Sequence, residues 1–381
     1  MDGLAANLFS RYNGIMRATF VGVLVIAGGL FWVQVDQSDK AARGQLETRL
    51  HESALALNFI LKAGSDTVDD LDDEAEDWFL THPTPPEPPS PLYVRLVTRA
   101  SEGFFTLDHV PAPYTPELVG NLTAPAREPD AAFRSEVEMA LSLNPRFHAI
   151  TRVLPSAAWV YYTSASGFIN IYPWTVSKEF KFGKELHDKE FFLGGLPERN
   201  PKRKRFWTEA YVDEAGKGLM VTVAAPVYQG KSFKGTVALD LTLDELNRFV
   251  KTWNGGSGEL FIVNDRDQLL AHPRLVTSKD KTVQTLAAAL PAELAGEAKA
   301  VMAAAQDKLL DRKGWLVEAL PLEQAPFRLV MVVRHASLTL SILAGAGLTV
   351  LALLLGLGLT LILSSRLTFR DYITPSQKLV D

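Results

Sequence analysis

Two long uncharged apolar runs stand near the ends of this 381-residue chain with about 300 residues between them, and they limit its folding more than any other feature. Ala18 to Val35 is eighteen residues without a charge, and Ala336 to Ser365 is thirty. A helix of about twenty apolar residues crosses a bilayer, so both runs are expected to span one, at residues 18–35 and 336–365. A cleaved leader is the alternative for the first run. Its length, and the lack of a small-x-small site directly after it, favour a retained helix. Arg11 and Arg17 precede the first run, and Arg366 and Arg370 follow the second. Short basic flanks stay cytoplasmic, whereas a long intervening domain is translocated largely regardless of its charge. Residues 1–17 and 366–381 are therefore expected inside, and 36–335 outside, which in a bacterium means an inner-membrane protein with a periplasmic domain. Neither run holds an ionisable residue, which argues against a channel or transporter formed by this chain alone.

Composition removes further classes. The formal net charge of −5 lacks the basic footprint of a general nucleic-acid binder, so no nucleic-acid partner is expected. There is no cysteine, which excludes disulfides, thiol nucleophiles and Cys-based zinc sites. The seven histidines offer no HExxH spacing, and there is no GxSxG elbow, P-loop or GxGxxG after a strand. No catalytic residue, metal site or cofactor is implied.

Between the spans, Leu46, Leu50, Ala54, Leu57 and Leu61 recur at helical spacing, predicting a helix from Asp36 to about Lys62. It packs on its own domain, pairs across a homodimer, or does both. The acidic run Asp66 to Asp77 lacks the spaced ligands of a calcium loop and reads as a solvated, extended segment. The proline-rich HPTPPEPPSP after it, ending at Pro91, reads as a stiff loop. From Leu92 the texture is mixed: a strand at Val94–Val97, a helix over Pro129–Leu143, and aromatic, β-branched strands at 158–164 and 167–174. GLMVTVAAPVY and GTVALDLTL form a hairpin, and a helix follows at 242–252. A smaller module repeats the theme from Gly258, with the pair GELFIVN and QLLAHP, a helix over Thr282–Gln306, and strands WLVEALP and FRLVMVV.

This order of elements resembles the double-Cache sensor domains of bacterial receptors. The most specific stretch is FWTEAYVDEAGKGLMVTVAAPVYQGKSFKGTVALDLTLDEL, residues 206–246, which looks like the Cache pattern W-x-x-x-Y-x-D, T-x-x-x-P-V-Y, G-x-x-x-x-D. The resemblance implies an α+β fold: two tandem PAS-like antiparallel-sheet modules on a long N-terminal helix, flanked by two transmembrane helices. Residues 36–91 would form the helix and acidic/Pro-rich segment, 92–252 a membrane-distal ligand-binding module, and 253–335 a membrane-proximal module. Residues 366–381 resemble the start of a HAMP-like linker, with no output domain following. A longer native chain of this kind carries a PP2C-type phosphatase, diguanylate cyclase, histidine kinase or chemoreceptor output.

Carried over residue by residue, Tyr211 and Asp213 match the family's Tyr-x-Asp, and Asp240 the later Asp, which together hold a ligand's amino group. The family's upstream Arg-x-Trp-Tyr carboxylate clamp is replaced by Lys189-Glu190-Phe191-Phe192. Lys189 offers a charge without a bidentate fork, which puts small amines and other polar metabolites level with α-amino acids. Tyr161, Trp174, Phe192 and Trp207 are the aromatic candidates for the pocket, and Trp159 and Tyr172 read as core or pocket wall. The implied function is a transmembrane receptor, homodimeric, that binds a small polar ligand and signals to a cytoplasmic output. The rival is a membrane-anchored scaffold without a ligand.

Overall fold

The structure, a computed structural model, describes residues 2–98, 103–253, 258–276, 282–368 and 370. The expected linker 366–381 lies outside the described residues beyond Arg370. The chain divides into two compact units, Met1–Arg49 with Val333–Asp381, and Leu50–Val332.

In the first unit, the helical runs beginning at Gly14 and at His335 are both long and apolar enough to cross a membrane. Helix α1 covers Asp2–Thr81 without a break, and the last helix, named below, begins at His335. Asp39 pairs with Arg43 at 2.8 Å, Arg43 reaches His335 Nε2 at 3.0 Å, and His335 lies 3.8 Å from Asp39.

The second unit opens with the rest of α1. The expected helix ends near Lys62 and gives way to an extended acidic segment, but the structure instead carries the helix through the whole acidic run to Thr81. The reason is that the run is charged on one side only. Val68, Leu71, Ala75 and Phe79, spaced three and four apart, continue the stripe of Leu50, Leu57 and Leu61, and all are buried. The acids find partners: Asp69 pairs with Arg205, Asp70 with Arg146, and Glu76 accepts the Tyr228 N–H at 2.9 Å. Asp72 escapes repulsion differently. Burial, reinforced by Glu76, Asp73 and Asp69, pushes its carboxyl up to about 8, so it stays protonated at neutral pH.

After α1 come α2 (Pro91–Thr98), β1 (Phe104–Thr106), β2 (Asn121–Pro125), α3 (Ala131–Ser142), α4 (Asn144–Val153), β3 (Ala157–Ser164) and β4 (Phe168–Tyr172). The expected strand at 94–97 is thus a helix. Its β-branched residues mislead, while Leu92, Tyr93 and Leu96 bury one helical face. The Asp130 side chain caps α3 by accepting the Phe133 N–H at 2.7 Å. Next are a short 3-10 turn at Lys184–Asp188, α5 (Glu190–Leu193), β5 (Phe206–Trp207), β6 (Tyr211–Val212), β7 (Leu219–Gln229), β8 (Ser232–Thr242) and α6 (Leu243–Lys251). The eight strands form one antiparallel sheet in the order β1-β2-β4-β3-β8-β7-β5, with β6 also on β7.

A second sheet is built from β9 (Glu259–Asn264), β10 (Leu269–Ala271), β11 (Leu310–Arg312), β12 (Trp315–Pro321) and β13 (Phe327–Arg334), in the order β10-β9-β13-β12-β11. The single helix expected over 282–306 is three short ones, α7 (Leu286–Ala289), α8 (Ala292–Ala295) and α9 (Ala298–Ala304). Pro291 and Gly296 punctuate them. The chain leaves β13 directly into α10 (His335–Thr368).

The larger sheet is buried on both faces. Val160, Tyr162, Val223 and Leu239 share one face, and Gly64 of α1 lies close enough that a Cβ there would touch Leu239 and Val223. Trp159, Tyr161, Met220, Ala224 and Ala238 share the other, under Phe182, Leu186, Phe191 and Phe192. At the β3–β8 seam, Gly235 faces Ser164, and a Cβ on Gly235 would fall 2.1 Å from the Thr163 carbonyl oxygen. Gly235→Ala must therefore push β8 away from β3, at a cost of roughly 1–3 kcal/mol. A lowered urea midpoint in the variant is the expected reading.

Candidate ligand-binding site

The second sheet face gathers the titratable chemistry. Register sets it: Asp240 on β8 stands opposite Thr222 on β7 and Trp159 on β3, so all three share one face. Tyr161 lies two residues on from Trp159 and therefore points the same way. The Asp240 Oδ1 accepts hydroxyls from Thr222 at 2.6 Å, Tyr161 at 3.0 Å and Tyr211 at 3.4 Å. Tyr211 and Thr222 hydroxyls are 2.7 Å apart. No described residue donates a hydrogen bond to Oδ2, and no Lys or Arg forms an ion pair with Asp240 among the described residues.

Asp240 is 2% exposed. Burial pushes its carboxyl up to about 7; the Asp213 charge adds to this, and the hydroxyls of Thr222, Tyr161 and Tyr211 offset only part. Burial and the same carboxylate push the Tyr161 and Tyr211 phenols far up, so both stay protonated as donors. The result is an acid with one satisfied oxygen and one available, walled by aromatic rings. Phe191 completes the wall, 5.3 Å from the Tyr161 ring and 6.1 Å from that of Tyr211.

Asp213 is placed differently. Its Oδ1 accepts the Ala215 N–H at 3.0 Å, and its Oδ2 accepts the Lys217 N–H at 2.7 Å and the Trp159 indole N–H at 3.0 Å. Asp213 thus ties the turn after β6 to β3. Gly216 and Gly218, at φ +92° and +93°, let that turn close. The turn lays the Lys217 ammonium over the Trp159 ring, 3.4 Å from its centroid, where it donates to the Ala158 carbonyl. Burial lowers the Lys217 pKa, while the Asp213 and Asp240 charges hold it up.

Of the residues singled out in the sequence, Tyr161, Tyr211 and Asp240 meet directly, and Asp213 joins them through Trp159. Lys189 lies alongside, in an ion pair with Glu214 on the same turn. Phe192 belongs to the same apolar cluster but stacks on His187 at 4.2 Å and edges Phe233, so its neighbour Phe191 takes the place beside the tyrosines. Trp174 lies elsewhere, donating its indole N–H to the Leu107 carbonyl at 3.0 Å. Trp207 faces the smaller sheet, with its N–H on the Gln324 carbonyl at 2.9 Å and its ring edge-on to Phe327. The sequence reading passed over Thr222, Phe191 and Lys217 and took Trp159 for core or wall. Thr222 and Trp159 carried a signal in the register of their strands with Asp240, and Lys217 one in its place between two turn glycines.

Against known proteins, residues 158–248 match the family described as methyl-accepting chemotaxis protein-like, first PDC sensor domain. That segment runs from within β3 into α6 and holds every residue bonded to Asp240. A curated relative, the methyl-accepting chemotaxis protein McpG of Pseudomonas putida, is 33% identical over 107 residues, 27% of this chain and 16% of that protein. The match therefore spans about a sixth of the relative's length. Among solved structures, the ligand-binding domain of the Pseudomonas fluorescens chemoreceptor CtaA with L-isoleucine is similar at 15% identity and a TM-score of 0.45, over 78% of this chain and 96% of that one. The ligand-binding domain of the Pseudomonas aeruginosa amino-acid chemoreceptor PctC with GABA is similar at 19% identity and a TM-score of 0.36, over 55% of this chain and 83% of that one.

Proposed function

We propose that this chain is the sensing part of a transmembrane receptor of the double-Cache class, and that its larger module binds a small polar ligand through an ammonium group held by Asp240. The observation that carries the reading is the buried carboxylate, with three hydroxyls on one oxygen and no described residue bonded to the other. A charge in such a place is costly unless it is paired. A ligand ammonium supplies the missing partner by a charge-assisted hydrogen bond to Oδ2, and the Tyr161, Tyr211 and Phe191 rings favour the cation further. An amine, an amino acid or a related metabolite meets that requirement. Lys217, already over Trp159, is the cation nearest to hand for a ligand carboxylate.

The two apolar helices fit a two-pass inner-membrane receptor with residues 36–335 in the periplasm, a homodimer that signals to a cytoplasmic output domain or partner. Ligand binding biases an equilibrium between two arrangements, and the direct passage from β13 into α10 gives it a short route to the second span. A coupling of about 1–3 kcal/mol changes the output roughly 5–150-fold.

The test is a thermal-shift screen of the full chain in detergent against amines, amino acids and small carboxylates at pH 8. A ligand at about 100 times its Kd adds about 2.7 kcal/mol of apparent stability. Ammonium-bearing compounds are expected among the hits and simple carboxylates are not. Hits confined to carboxylates would overturn the assignment.

A further inference from the structure

A second cavity, of about 510 Å³, lies between the C-terminal end of α1, the proline-rich loop, α2, α3 and α4, and no residue bonded to Asp240 lines it. That volume is in the range of small-molecule sites, which pair apolar walls with a few polar groups. Trp78, Leu92, Leu118 and Leu141 supply walls here. Glu138, Asn144 and His148 supply the polar groups.

One of those polar groups is incomplete. Glu138 is 4% exposed; its Oε1 accepts the Ser90 N–H at 2.9 Å, and no described residue bonds its Oε2 or forms an ion pair with it. Asn144 is closed to the cavity, its Oδ1 accepting from the Gly120 N–H and the Asn170 amide and its Nδ2 buried out of reach. His148 is already engaged, its Nδ1 3.0 Å from the Tyr172 hydroxyl. The wall therefore offers one carboxylate oxygen without a partner among the described residues, beside an indole and leucines. A carboxylate enclosed this far is normally paired, so the second oxygen of Glu138 calls for a cationic occupant.

We infer that this cavity is a second ligand site, for an aromatic amine that sets its ammonium on Glu138, with its ring against Trp78 and the leucines. The site is independent of Asp240 and does not rest on the proposed function. Every residue named lies between 78 and 172, outside the Tyr211–Lys217 turn.

Tyramine is the probe, with 3-(4-hydroxyphenyl)propionate as its counterpart of opposite charge, titrated by calorimetry into the full chain in detergent. Saturable tyramine binding, at least tenfold tighter than the propionate, is expected. Glu138→Gln keeps the acceptor for Ser90 and should weaken tyramine at least tenfold. Ser142→Leu, which fills the cavity and keeps the Glu138 carboxylate, should do the same. The titration is repeated in Asp240→Asn, which removes the ammonium partner of the other site; the tyramine binding that depends on Glu138 should persist there. Loss in Asp240→Asn with retention in Glu138→Gln and Ser142→Leu would assign the binding to the other site and overturn the inference, as would no saturable binding at all.

Discussion

Asp240→Asn is expected to make the chain more stable at pH 8, the reverse of what removing a well-bonded buried residue usually does. The ordinary carboxyl value of 3.8 rises to about 7 on burial in the fold. At about 1.4 kcal/mol per tenfold, ionised Asp240 therefore costs the apo protein about 4 kcal/mol above pH 7. The sign follows from proton binding. Between about pH 4 and pH 7 the folded state holds the proton more tightly than the unfolded state, so stability falls as pH rises through that window. Below about pH 4 both states are protonated and the cost vanishes. Asparagine keeps an acceptor for Thr222, Tyr161 and Tyr211 and carries no charge. The gain should be roughly 1–4 kcal/mol at pH 8 and close to nothing at pH 4, read by thermal unfolding of the full chain in detergent. A destabilised variant at pH 8 would mean that the carboxylate is already compensated within the fold. Sites that sacrifice stability for a binding charge are a known trade-off.

Leu71→Ala should cost roughly 2–5 kcal/mol. Leu71 sits in the middle of the acidic run and is wholly buried. Truncating it removes buried methyl groups and leaves a cavity between α1 and its neighbours. An extended, solvated acidic segment would instead give a change near zero. Urea denaturation of the full chain separates the two, and the exposed Leu55, on the same helix, is the control. Leu55→Ala should fall within about 0.5 kcal/mol of the parent.

What the sequence disclosed and what it hid divide along physical lines. The two apolar helices and the four main hairpin strands are legible because hydropathy and β-branched patterning are local signals. The tandem α+β organisation followed from their order. The acidic helix was hidden because its reading depends on partners far away in sequence: Arg146, Arg205 and the Tyr228 amide offset the like charges that favour extension. The helix at 91–98 was hidden by two valines whose strand preference yields to burial of Leu92, Tyr93 and Leu96. At the site, Tyr211 and Asp240 are reached from a motif and Tyr161 from its place on an aromatic strand, and their meeting on one oxygen follows from strand register. The destinations of Trp174 and Trp207 were not legible, since an aromatic run says that rings are buried but not against what. Lys217 and Thr222 became visible only once the register put them beside the carboxylates.

The central claim is that ionised Asp240 waits for an ammonium. It is tested most directly by calorimetric titration of one ammonium ligand from the screen into the parent chain and Asp240→Asn, at pH 6 and pH 8. Binding to the parent should tighten from pH 6 to pH 8, as the carboxyl with its value of about 7 ionises, and Asp240→Asn should bind at least tenfold more weakly at pH 8. Equal affinity in the two proteins, or affinity that does not change with pH, would contradict the account.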